Sequence, residues 1–388
     1  MSSEVLHRRQ QQQQREQYRR WLLEAGLILA AVLVLILVMP AVLPAFRLKL
    51  LGRFLSLAII ALGIDLIWGY TGLLSLGHGI FFALGGYGIA MHLKLNGPEA
   101  PLPDFFTLYG VNQLPWFWEP FKSLSFTALA IPIIPAIVAG LLGYLVFRNR
   151  IRGVYFSILT QAALIVFFNF FNGQQKLING TNGLKTDTDL IFGQVVSSEP
   201  AQIAFFQVTV AMLVLIYLLC RWLTSGRFGQ LLVAIRDDEN RVRFTGYNPT
   251  WFKVFVFAVS GGIAGIAGAL FTVQSGIITP SAMEVAFSIE MVIWVAVGGR
   301  GTLVGAILGA LLVNQARTML SEQLPEVWLF FQGLLFLLVV TVLPDGILGG
   351  LRRLVAGLRS RLAPEPLITY PAVAKDPEIQ QEREEIDS

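Results

Sequence analysis

The sequence is poor in the residues from which catalytic and metal sites are usually built. It carries one cysteine, Cys220, and three histidines in 388 residues. A lone cysteine excludes an intrachain disulfide and makes a cysteine-based metal site implausible. There is no HExxH pair, no Ser/His/Asp set with useful spacing and no GxxxxGK[ST] phosphate loop. A metalloprotease, a triad hydrolase and ATP hydrolysis by this chain itself therefore have no support. Charge is equally scarce, at 14% of residues against roughly 25% in an average soluble domain. That shortage argues against a soluble two-domain enzyme, the usual reading of this length.

What fills the gap is apolar. Hydrophobic residues make up 55% of the chain, and its mean hydropathy is +0.64. Stretches 25–46, 123–147, 153–175, 201–220, 254–283 and 327–344 contain no Asp, Glu, Lys or Arg, and each has 18 residues or more. A helix needs about 20 apolar residues to cross about 30 Å of hydrocarbon. Barrel strands would alternate apolar and polar residues, and these do not. The expected fold is an all-α polytopic membrane protein of about 8–10 transmembrane helices. Candidate spans are 22–43, 53–69, 76–93, 124–147, 153–171, 202–222, 252–274, 285–299, 302–319 and 327–343. The expected organisation is a tail at 1–20, a transmembrane domain at 21–350 and a disordered acidic tail at 351–388.

The net charge of +4 does not point to nucleic acid, because the basic residues lie between apolar blocks. There they report orientation. With ten spans, 21 of the 29 Lys and Arg fall on one side, which reads as cytoplasmic and holds both termini. The first apolar block has no cleavage site behind it and reads as an uncleaved helix. Arg47, Lys49 and Arg53 disagree, since they fall in the first outer loop. The other outer loops are 94–123 and 172–201, and Trp116 and Trp118 in the former read as interfacial anchors.

Against this background the exceptions matter. Asp65 stands inside an apolar stretch and is followed by Thr71, Ser75, His78 and many glycines, which suggests a broken or Gly-rich helix near 69–88. A charge at such depth costs about 2.5–3.5 kcal/mol and survives facing a bundle interior or wet cavity. Broken helices also expose backbone groups used in transport sites. Two readings stay open: these residues line a pathway, or they only tie helices together. Glu290 is the second intramembrane acid; it faces a polar pathway or pairs with a base on another helix. Asn314, Gln315 and Arg317 could line the same vestibule. Gly261, Gly265 and Ala269, and Gly301, Gly305 and Gly309, recur at spacing four as helix-contact faces.

The longest inner loop is 223–251. Gln230–Arg236 reads as a short helix with an apolar face, and Asp237 or Asp238 can cap a second one carrying Arg241. Gly246 and Pro249 would end it. Charges of both signs suit docking on a protein better than binding to lipid.

Several motifs then match a known family. GYTGLLSLGHGIFFALGGYG at 69–88, FGQLLVAIRDDENRVRFTGYN at 228–248, SGGIAGIAGAL at 260–270 and VGGRGTLVGAILGALL at 297–312 resemble, in order, permease subunits of branched-chain amino acid type ABC importers. Residues 287–347 look most like the second permease of the urea-transporting branch. The resemblance implies alternating-access import across the bacterial inner membrane, with urea as substrate or, alternatively, branched-chain amino acids. A secondary transporter or channel is the remaining alternative, but it needs no docking loop. The implied partners are a second, related permease, two cytoplasmic ATPases, a periplasmic substrate-binding protein and membrane lipid. ATP and Mg would sit on the ATPases, and this chain would bind no cofactor. The family's coupling segment maps onto Gly229, Ala234, Ile235, Arg236, Asp237, Asp238, Arg241 and Gly246. The substrate-pathway candidates are Asp65, Thr71, Ser75, His78, Glu290 and Asn314.

Overall fold

Long charge-free blocks fold as helices because lipid offers no partner for backbone amides and carbonyls. The computed structural model describes residue 26, residues 28–323 without 98–101, 152 and 192, and residues 327, 330, 331, 333, 334, 337, 341 and 346–351. The tails expected at 1–20 and 351–388 and most of the span expected at 327–343 lie outside the described residues.

The main compact unit of the chain ends at Leu348. Its helices include α1 (Ile28–Val42), α2 (Ala45–Thr71), α3 (His78–Leu95), α4 (Leu124–Arg148) and α5 (Val154–Gly173). They continue with α6 (Glu199–Ser225), α7 (Arg227–Phe244), α8 (Pro249–Ser275), α9 (Val285–Gly298) and α10 (Leu303–Gln323). Among the described residues, α2, α4, α5, α6, α8 and α10 are long and apolar enough to cross a membrane. The protein is thus all-α and polytopic, and its strands are two-residue pairs in the loops.

α2, α3 and α8 form the centre. The apolar window of α2 is 89% buried and that of α8 is 67%, whereas α4 and α5 bury under a third of theirs. α8 packs on α2, α3 and α4, and α2 also carries α6 and α10. The predicted small-residue face at Gly261 and Gly265 makes the α8 contacts possible. A Cβ on Gly265 would fall 2.4 Å from the Ile131 carbonyl oxygen, and one on Gly85 1.9 Å from the Gly265 carbonyl oxygen. Pro135 inside α4 lacks the amide that would bond Ile131, so this bare carbonyl meets a bare glycine. The second predicted face needs revision. Gly305 and Gly309 pack against Gly298 and the Trp294 carbonyl of α9, while Gly301 lies in the α9–α10 turn with φ of 75°.

Most described span boundaries fall within three residues of expectation, and the largest departure is instructive. α2 begins at Ala45, not 53, so Arg47, Lys49 and Arg53 stand on a helix rather than in a loop. Each finds a neighbour there. Arg47 lies 3.9 Å from Glu322, Arg53 stacks 5.3 Å over the Phe271 ring, and Lys49 reaches Gly276. The two tryptophans also part company. Trp116 is 83% exposed, whereas Trp118 is buried and its indole donates to the Leu177 carbonyl at 3.1 Å.

Two connections do not run outside the bundle. α2 stops at Gly72, whose φ of 76° ends the helix, and residues 72–77 then climb into the interior before α3 starts. From the opposite face, residues 276–284 descend from the end of α8 to the start of α9. The two stretches meet. A Cβ on Gly79 would touch the Ala282 carbonyl, the Ser288 hydroxyl and Leu164, which stands at the middle of α5. His78 bonds Ser260 near the middle of α8. The predicted break near 69–88 is therefore present, and a second break at 276–284 accompanies it. With 14 residues, α9 is about 21 Å long and reaches only part of the way across.

Candidate functional site

The first candidate is the face that carries α7. α7 is two short helices, because Asp238 sits at φ −156° and ψ 96° and breaks the run. Its Oδ1 accepts from the Asn240 and Arg241 amides at 2.9 and 3.2 Å, capping the second helix as one of the two expected aspartates should. Those amides, the Arg241 amide foremost, hold the exposed Asp238 carboxyl below the usual aspartate range. Gly246, with φ of 89°, follows the last turn, while Pro249 starts α8 rather than ending α7. Gly229, Leu232, Ile235 and Val242 face inward, and Gly229 passes so close to Thr224 that a Cβ would strike its carbonyl. Ala234, Asp237 and Arg241 face outward, and Phe244 is 90% exposed.

Arg236 links this segment to the centre. Its Nη1 donates to the Gly69 carbonyl in the last turn of α2 at 2.9 Å, and its Nε bonds Asp237 at 3.1 Å. The negative end of the α2 dipole suits a cation there. One turn deeper, Asp65 Oδ1 accepts from the Gly301 amide at 2.6 Å, so α2 also holds the α9–α10 turn. Arg300 of that turn stacks 5.3 Å over Trp68. Burial, reinforced by the nearby Arg236, pulls the Arg300 guanidinium below the ordinary arginine value.

A second link has no obvious trace in the sequence. Lys253, 1% exposed at the start of α8, donates to Glu239 Oε2 of α7 at 3.1 Å and lies over the Phe147 ring of α4. Arg243 donates to the other oxygen of Glu239 at 2.8 Å. The available signal was a lysine one residue before a charge-free run, opposite an acid in the docking loop.

The pathway candidates do not form one cluster. Asp65 is fully buried and bonded to Gly301, while Thr71 caps back to the Ile67 carbonyl at 2.6 Å. Ser75 accepts from the Gly77 amide at 3.3 Å inside the first break. His78 Nε2 and the Ser260 hydroxyl lie 2.7 Å apart, and Ser260 donates onward to the Gly63 carbonyl, so the imidazole donates and ties α3 to α8 and α2. Glu290 of α9 is buried and pairs with Arg317 of α10. Of its two readings, the structure contains the interhelix pair. Asn314 is buried and bonds the Ala310 carbonyl on its own helix. Ser75 and His78 thus share the first break, Asp65 lies at the α9–α10 turn, and Glu290 and Asn314 sit on the α9–α10 hairpin. Among the described residues no group of His, Cys, Asp and Glu could hold a metal ion.

This architecture has known relatives. The family described as branched-chain amino acid transport system / permease component matches residues 46–340. The high-affinity branched-chain amino acid transport system permease protein LivM of Escherichia coli (strain K12) is 27% identical over 83% of this chain and 74% of its own length. A probable branched-chain amino acid transport permease, LivM of Methanocaldococcus jannaschii, is 23% identical over 75% of this chain and 89% of its own. The ribose import permease RbsC of Haemophilus influenzae is 24% identical over 57% and 69%. No solved structure matches the chain at a significant level. The family match takes in both breaks, the α7 segment and the central α2–α8 pair. The chain therefore belongs to the branched-chain amino acid transport system permease components, transport subunits whose ATPase resides on partner chains.

Proposed function

We propose that this chain is one permease of an ATP-driven importer for branched-chain amino acids, set in the bacterial inner membrane with α7 and both termini on the cytoplasmic side. The match of residues 46–340 to amino acid transport permeases carries the reading. Urea, suggested by residues 287–347, ranks second, because the LivM relatives are amino acid permeases. The expected partners are two ATPases, a second permease and a substrate-binding protein, with ATP and Mg on the ATPases.

Coupling follows from the contacts. ATPase closure would push α7, whose Arg236 grips the last turn of α2 and whose Glu239 grips α8 through Lys253. Both levers act on helices at the centre of the bundle, so a small displacement at the surface must shift the centre. In turn α2 carries the α9–α10 turn through Asp65. In this reading Asp65, Thr71, Ser75 and His78 change partners as the pathway alternates between faces, and Glu290 and Asn314 do so on the hairpin.

The test is uptake of radiolabelled leucine, with urea as competitor, in cells whose only such system contains this chain. Leucine uptake that excess urea leaves intact supports the reading, and urea uptake without leucine uptake overturns the substrate. Arg236→Glu combined with Asp237→Arg should leave the subunits co-purifying while uptake collapses. Full uptake by that double variant would remove α7 from the coupling role.

A further inference from the structure

The second break carries a carboxylate that no sequence motif singles out. Glu284 closes the 276–284 stretch immediately before α9, two residues after Ala282 meets Gly79 at the middle of the bundle. It is exposed, as are Ser281 before it and Ala286 and Ile289 after it. No ion pair or side-chain hydrogen bond engages the Glu284 carboxylate among the described residues. The other two acids at depth differ. Asp65 is bonded to Gly301 and Glu290 is paired with Arg317.

Physical constraints narrow the surroundings of Glu284. A bare carboxylate at this depth facing lipid would cost about 2.5–3.5 kcal/mol or more. Non-helical backbone at membrane depth is tolerated where protein buries it or where it lines water. Glu284 and Ser281 are exposed on this chain, and a carboxylate there requires water or a polar partner rather than lipid. A second observation points the same way. The Ser288 hydroxyl, 2% exposed on the first turns of α9, has no hydrogen-bond partner and lies against Gly79 at the N-terminus of α3. The neighbouring His78 is 1% exposed, and its Nδ1 is likewise unpartnered. Polar atoms left over on both breaks at one depth mark a place where a polar solute can be held.

We propose that Glu284 is a substrate-binding residue of the translocation pathway and accepts N–H bonds from the α-ammonium group of an amino acid in transit, while Ala286 and Ile289 receive its aliphatic side chain. A carboxylate, followed along α9 by the exposed aliphatic groups Ala286 and Ile289, offers the chemistry a zwitterion with a branched apolar tail requires. The assignment rests on the amino acid import reading above.

The test uses the chain with its partner subunits in cells and two readouts. The first is leucine uptake. Glu284→Gln keeps the shape but removes the charge, and a lost charge-assisted bond should lower uptake on the order of tenfold or more. Glu284→Asp should retain a substantial part. The second is reactivity of Ser281→Cys and Glu284→Cys toward a charged, water-soluble thiol reagent in a Cys220→Ser background, which should be fast and slowed by leucine. Wild-type uptake by Glu284→Gln, or no reaction at either position, overturns the proposal. Failure of the import reading looks different, because the unmodified chain itself then moves no leucine.

Discussion

Residues 72–77 enter the bundle from the α7 face with every flanking hydroxyl engaged, whereas residues 276–284 enter from the other face with Ser281 and Glu284 exposed. In the first stretch, Thr160 accepts from the Leu76 amide at 3.1 Å and Ser157 donates to the Leu74 carbonyl at 2.6 Å. His78 then bonds Ser260. None of its residues is exposed. In the second stretch, Leu184 pairs with Ile278 at the top and the Thr279 and Ser281 hydroxyls bond each other, while Ser281 and Glu284 are exposed beside the buried Pro280 and Met283. Backbone in lipid must be satisfied in either case. In this conformation one break has its hydroxyls satisfied by neighbours and is closed to the surface. The other spends its lower end on an accessible surface, as a ligand contact requires.

The contrast can be broken in graded ways. The largest effect is expected at the scaffold's closest approach. Gly85→Leu places carbon where the Gly265 carbonyl now lies, and overpacking there should reach or exceed the about 3 kcal/mol seen for strained cores. Size-exclusion chromatography in detergent should show aggregated protein in place of a single symmetric peak. Lys253→Met takes one of two bases from the buried Glu239 and leaves Arg243, so the loss should stay below the about 3–5 kcal/mol of a fully broken buried pair. A thermal unfolding scan of the purified protein should show a large drop in Tm, and Lys253→Arg should recover part of it. Ser260→Ala removes the partner of His78 and the donor to the Gly63 carbonyl, so about 1–3 kcal/mol is expected in the same scan. Glu284→Gln should change stability least, by no more than about 0.5 kcal/mol, and so leave Tm nearly unmoved, because its carboxylate holds nothing in the fold. A variant that leaves Tm alone yet abolishes uptake separates ligand contact from scaffold.

Much of the fold was legible because the bilayer is a demanding solvent. Apolar length located α4, α5, α6 and α8 closely, and the glycines of 69–88 announced the first break. The second break was hidden. Its descent through Ile277, Ile278 and Pro280 is as apolar as the α8 residues before it, so composition merges the two, and Glu284 reads as a span boundary. Arg47, Lys49 and Arg53 were misplaced for the converse reason. Their partners, Glu322 and Phe271, are distant in sequence, and no local pattern reveals them. The α7 kink was readable because capping is local, whereas the Lys253–Glu239 link depends on how α7 folds back onto α8. Sequence marks what a residue needs, and the tertiary fold decides who supplies it.

The two breaks thus differ in access: in this conformation one is closed and the other is exposed. That difference is tested most directly by comparing thiol-labelling rates of Ser75→Cys and Glu284→Cys in the Cys220→Ser background, in intact membranes. Rapid labelling is expected at position 284 and slow labelling at position 75. Equal rates, or faster labelling at position 75, would contradict it.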